Sequence, residues 1–137
     1  AALTTAQVRA LTTDGIVAAG EPSLDALLFA AHELPPSALS ILLQGSQSIN
    51  AVPFGDGLRC VGGTLARLYT RNAKLGSVSV PGPLDLGVAA RSVQLGVPIP
   101  TGAVRSYQFY FRDASAVFCP TPLGSTFNTT PAVSIQH

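Results

Sequence analysis

The sequence has no methionine and no tryptophan, and charged residues make up only 11% of its 137 residues. A typical soluble domain has about a quarter. No apolar run approaches the 18 residues of a membrane-spanning helix, so we expect no transmembrane segment. Because few charges cover the surface, we expect it to resist self-association poorly. That property suits a subunit of an assembly better than an isolated soluble enzyme.

Clustered basic residues are also missing. The eight cations are spread singly along the chain and the net charge is +1. No stripe of lysine and arginine is present to follow a phosphate backbone, so we expect no nucleic-acid partner.

The sequence offers little material for catalysis or metal binding. Its two histidines are His32 and His137, and no Gly-x-Ser-x-Gly motif is present. We therefore expect no catalytic residues and no enzymatic activity. Two cysteines about 60 positions apart do not have zinc-ligand spacing, and no cofactor is expected. Asp56 and Asp85 carry oxygen ligands suited to calcium, but neither has the neighbouring carboxylates of a dedicated loop, so no metal site is predicted.

Two features bear on the compartment. The sequence begins Ala1-Ala2-Leu3 without methionine, as a mature chain does after signal-peptide cleavage, which predicts secretion. In an oxidising compartment Cys60 and Cys119 would close a loop of about 60 residues and contribute about 4 kcal/mol. The alternative is two unrelated buried thiols.

The remaining composition favours short strands and turns. The 13 glycines and 11 prolines disfavour long helices. Turn signals recur about every ten residues, which is typical of one antiparallel β-sandwich or barrel domain over 1–137. Tyr107, Phe109 and Phe111 alternate within the segment 106–113, so their rings share one face of a strand. We predict that this strand forms the centre of the core.

Several segments are less clear. Within 1–20, Thr5 could cap a short helix through Leu11, yet Ala6, Val8 and Ala10 alternate as in a strand. The segment 24–31 has helical spacing but precedes a double proline, so helix and strand are evenly matched. We predict strands at 39–43, ending in Gln44-Gly45, and at 88–95.

Several phrases in fixed order resemble a known family. They are Leu34-Pro35-Pro36, Phe54-Gly55-Asp56-Gly57, Cys60-Val61-Gly62-Gly63, Arg67-Leu68-Tyr69, Ala90-Arg91-Ser92, Tyr107 to Asp113 and Phe118-Cys119-Pro120. Over residues 24–137 the sequence is similar to the C-terminal extracellular β-domains of large secreted planctomycete and myxobacterial proteins. The resemblance implies an antiparallel β-sandwich, jelly-roll or Ig-like, with a Cys60–Cys119 disulfide, a secreted location and no enzymatic activity. It also implies a strand at 24–31. One departure is His32-Glu33, where the family has glycine.

Two functions are consistent with these features. The first is a secreted structural subunit that self-associates into a filament or surface layer, because an edge strand extends a sheet through main-chain bonds alone. The segment 1–20 is the candidate donor, with assembly contacts at Leu3, Ala6, Val8, Ala10 and Leu11. The alternative is a carbohydrate-binding or adhesive module, with Tyr69 and Tyr110 as possible glycan contacts.

Overall fold

The computed structural model describes residues 7–12 through their backbone, and 27–55, 57–113 and 127–137 in full. The elements in chain order are β1 Gln7–Thr12, β2 Leu27–His32, β3 Leu39–Phe54, β4 Gly57–Asn72, β5 Val78–Val80, α1 Val88–Gln94, β6 Val104–Arg112, β7 Phe127–Thr129 and β8 Val133–Gln136. The prediction of an all-β antiparallel fold is confirmed, and 24–31 does contain a strand, β2.

The strands form two antiparallel sheets. The smaller sheet has the order β1-β2-β5, and the larger has β4-β3-β6-β7, with β8 also paired to β6. β6 is central because β3 lies along one side of it while β7 and β8 share the other. Every pair among these strands is antiparallel.

One core joins the two sheets, and β6 is at its centre as predicted. Tyr107, Phe109 and Phe111 are all buried, with at most 1% of each residue exposed. The ring of Tyr107 lies 4.5 Å from the ring of Phe29 in the other sheet, measured between centroids. Leu42 from β3 and other apolar residues complete the cluster. The alternation in 106–113 is therefore the pattern that buries the largest rings in one layer.

The prediction of a strand at 88–95 is wrong, because this segment forms the helix α1. Val88 and Ser92, one helical turn apart, are its buried residues. The helix ends at Gln94 with Leu95 as its C-cap, and the next residue, Gly96, has φ +78°, the left-handed conformation that commonly follows a helix. Alternation and helical spacing cannot be separated reliably in so short a segment, and tertiary burial of one helical face decides the outcome.

The predicted end of the third strand at Gln44-Gly45 is also wrong, since β3 continues to Phe54 and turns directly into β4. The pairing of β3 with β4 has three register shifts, between Leu42 and Leu43, Gly45 and Gln47, and Ser48 and Val52. Such irregularities bend a two-stranded ribbon. The bend also brings β3 and β4 close together at Gly62, where an added Cβ would lie 2.5 Å from Ile49 Cγ2.

Candidate functional site: the hairpin groove

The long β3–β4 hairpin folds back over the outer face of its own sheet. Ile41 of β3 pairs with Tyr110 of β6. Phe54 lies 13 residues further along β3, and an extended strand of that length would reach about 43 Å away. Instead the ring of Phe54 lies 5.3 Å from the ring of Tyr110. The tip of the hairpin therefore returns to the strand beside which the hairpin began.

Gln108 connects the folded-back hairpin to β6. Its side-chain Nε2 donates to the carbonyls of Leu58 (2.8 Å) and Thr130 (2.6 Å), and its Oε1 accepts from the amide of Cys60 at 3.1 Å. Gln108 lies on the opposite parity from the core aromatics, yet only 2% of it is exposed. These hydrogen bonds hold the hairpin against β6, because leaving a buried amide without a partner costs about 1–3 kcal/mol.

Between the hairpin tip, the sheet and the end of α1 lies an open cavity of about 620 Å³, here called the hairpin groove. Its apolar lining comes from Leu43 and Leu65 on the sheet and from Leu95 and Val97 at the end of α1. Tyr110 lines it from β6. This volume is in the range of small-molecule sites.

Two arginines of β4, Arg59 and Arg67, also line the hairpin groove. Arg59 Nη1 donates to the carbonyl of Val61 at 2.8 Å, and its guanidinium carbon lies 5.7 Å from the centre of the Phe54 ring. Arg67 is exposed and has no ion pair or side-chain hydrogen bond to any residue that the structure describes. The hairpin groove therefore combines an apolar lining with positive charge.

Tyr69, one of the two possible glycan contacts, is buried. Only 6% of it is exposed, and its hydroxyl donates to the carbonyl of Leu86 at 2.7 Å. Arg91 of α1 reaches across to the carbonyl of Leu68, with Nε 2.8 Å from the oxygen. These contacts cover part of the free edge of β4, which reduces its capacity to pair with another chain. Tyr69 offers no ring face to a sugar.

Asp85 is engaged by neighbouring donors. Its carboxylate accepts from the amide of Gly82 at 2.7 Å and forms an ion pair with Arg71. The hydrogen bond from Gly82 is the main cause that holds the pKa of Asp85 below its ordinary value. Asp56, the other acid considered for calcium, lies outside the described residues. Within the ranges that the structure describes, no three His, Cys, Asp or Glu residues cluster as metal ligands would.

A polar network runs through the core next to β6. The Tyr107 hydroxyl lies 3.0 Å from Gln44 Oε1 and 2.7 Å from His137 Nε2. Ser92 of α1 donates to the same Gln44 oxygen at 3.2 Å. Burial raises the pKa of Tyr107, and burial together with the charge of Arg105 lowers the pKa of His137. His137 Nδ1 is buried without a hydrogen-bond partner among the residues that the structure describes.

The predicted assembly residues fall partly inside the described chain. Leu3 and Ala6 lie outside it. Val8, Ala10 and Leu11 belong to β1, where they pair with Ala31, Phe29 and Leu28 of β2 in the same chain. In the described part of the chain β1 lies at the edge of its sheet, since β2 is its partner and β5 lies on the far side of β2.

The cysteine prediction is not resolved by the described residues. Cys60 is half-buried on β4 and forms no disulfide with any of them. Cys119 lies in 114–126, outside the described residues.

The described chain has one helix, α1 with seven residues, and no helix there is long and apolar enough to cross a membrane. Sequence reasoning missed the hairpin groove because it depends on a fold-back between distant segments. The glycines at the bend and tip of the hairpin were the available signal.

Comparison with protein-family models, curated proteins and solved structures finds no match to this chain.

Proposed function

We propose that this chain is a non-enzymatic, secreted structural domain that self-associates by exchanging β1 between copies. The observation that carries the proposal is the position of β1. Among the strands that the structure describes, it lies at the edge of the smaller sheet, held by an antiparallel register of six residue pairs with β2.

The same register forms between copies without new contacts. β1 ends at Thr12 and β2 begins at Leu27, so residues 13–26 connect the two strands. If this segment extends, β1 of one copy takes the place of β1 in the next. The main-chain hydrogen bonds are the same in both arrangements. Protein concentration and the entropy of the connecting segment therefore decide whether β1 pairs within one chain or between two. A head-to-tail exchange of this kind builds a filament unless it closes into a ring.

Two further parts of the proposal concern class and compartment. We place the two packed sheets in the β-sandwich class, jelly-roll or Ig-like, and we pair Cys60 with Cys119. The segment 114–126 rejoins the described chain at Phe127, whose ring contacts Phe54 at the tip of the hairpin that also carries Cys60. Counting thiols in the denatured protein without reductant tests the pairing. The proposal predicts none that react with a maleimide, and two reactive thiols would contradict it.

Deleting residues 1–12 tests strand exchange. Without β1, the protein should remain folded but run as a monomer in size-exclusion chromatography with light scattering. A chain lacking only residues 1–6 keeps β1 and is the matched control, which should assemble like the full chain. Equal assembly of the full chain and the 1–12 deletion would contradict the proposal.

The carbohydrate-binding alternative has less support. Tyr69 is buried, so Tyr110 is the remaining predicted contact, and it lies in the hairpin groove. The chemistry of that groove points to a different ligand.

A further inference from the structure

We propose that the hairpin groove binds a small amphipathic carboxylate, with an apolar body against the sheet and its carboxylate at Arg59 and Arg67. This site is separate from β1 and does not depend on strand exchange.

The apolar half of the argument comes from the lining. Leu43, Leu65, Leu95 and Val97 come from three parts of the chain and converge on one cavity of about 620 Å³. Leu65 and Leu95 are about two-fifths exposed. Covering them with an apolar ligand removes that surface from water, which favours binding.

The charged half comes from the two arginines. Of the acids that the structure describes, Glu33, Asp85 and Asp113, none lines the hairpin groove. Arg67 has no ion-pair partner among the residues that the structure describes, and Arg59 is held over the Phe54 ring. Guanidinium groups bind carboxylates through paired hydrogen bonds, and a site with two such groups and no acid among its described lining residues favours an anion.

The lining also suits an amphipathic carboxylate better than a sugar. A sugar presents many hydroxyls, which a binding site must satisfy with polar partners. The described lining has no Asp, Glu, Asn or Gln side chain. Tyr110 and the two arginines supply the polar atoms, which suits one anionic group better than a ring of hydroxyls.

The test compares decanoate with decanol by isothermal titration calorimetry and by methyl chemical shifts of Leu43 and Val97 in the full-length protein. We expect saturable binding of decanoate and binding at least tenfold weaker for decanol. Arg67→Gln should weaken decanoate binding about tenfold. Lys74→Gln is the matched control, because it removes one positive charge at an exposed turn outside the groove and should leave the affinity unchanged.

Three results would overturn the inference. One is equal binding of decanol and decanoate, and another is an equal loss of affinity in Arg67→Gln and Lys74→Gln. The third is saturable binding of an oligogalacturonate when decanoate does not bind, which would assign the groove to acidic sugars. Because Arg67 is exposed, we expect Arg67→Gln to fold, and an unchanged unfolding midpoint checks this. Loss of assembly after deleting 1–12 leaves this test unaffected, so the two proposals fail separately.

Discussion

The ring of Phe54 packs edge-on against the ring of Phe127, with 4.8 Å between their centroids and an angle of 73° between their planes. Phe54 is the last residue of β3 and Phe127 is the first of β7. This contact, with that to Tyr110, holds the hairpin tip on β6 and β7. The shape of the hairpin groove depends on it, because Phe54 and Tyr110 line the groove as well.

Gly55→Ala should undock the hairpin tip. Gly55 has φ +62°, and an added Cβ would lie 2.7 Å from the Phe127 ring. Gly96→Ala is the matched control, because Gly96 has φ +78° but nothing within 4 Å of the added Cβ. Left-handed strain alone costs about 1 kcal/mol, and overpacking adds about 1–3 kcal/mol. Urea unfolding should show the larger loss of stability for Gly55→Ala. Equal losses in the two variants would show that the tip is not docked.

Leu75→Asn should stabilise the protein by about 1 kcal/mol. Leu75 and Gly76, at φ 51° and 79°, form the two-residue turn between Lys74 and Ser77. Asparagine tolerates this conformation far better than leucine, and the Leu75 side chain is fully exposed, so little packing is lost. Leu84→Asn, at another fully exposed leucine without positive φ, is the control and should change the free energy of unfolding little. No difference between the variants would contradict the turn assignment.

Stability should fall as the pH drops below 6.5 because of His137. Its folded pKa lies below the ordinary value of 6.5, owing to burial and to Arg105. As the pH falls, the unfolded chain therefore binds the proton before the folded chain does. The contribution of His137 to stability is complete above pH 6.5 and is lost as the pH falls through the folded pKa. The slope is at most about 1.4 kcal/mol per pH unit.

Urea titrations of the wild type at several pH values between 5 and 8 measure that slope. His137→Gln should flatten it, while His32→Gln should retain it. Of the residues with described positions, Tyr107 and Arg105 are the ionisable groups that face His137, and the pKa of Tyr107 is raised, so it does not titrate in this window. Identical slopes in the wild type and His137→Gln would contradict the assignment.

The sequence was most informative where one local pattern decides burial. The alternation around Tyr107, Phe109 and Phe111 identified the central strand because three rings on one face can be buried in only one way. Glu33, in the bend after β2, has φ 63°. A left-handed residue there is a backbone requirement that glycine meets at the lowest cost.

The segment 88–94 and the fold-back of the hairpin could not be predicted. In α1, short length and mixed propensity leave the choice to tertiary contacts, including the bond from Ser92 to Gln44. The hairpin groove depends on contacts such as that of Gln108 with Leu58, 50 residues apart in sequence. Sequence periodicity reports on one element at a time and carries no information about such pairs.

Strand exchange is the central claim, and mixed cross-linking tests it most directly. Arg9 of β1 is directly opposite Ala30 of β2 in the register. Arg9→Cys and Ala30→Cys chains with tags of different size are unfolded together, refolded together and oxidised. Exchange of β1 predicts a disulfide-linked heterodimer, in which mass spectrometry finds the peptide containing position 9 of one chain joined to the peptide containing position 30 of the other. If the mixture yields no such heterodimer while a single chain with both substitutions forms the same bond internally, β1 pairs only within its own chain and strand exchange does not occur.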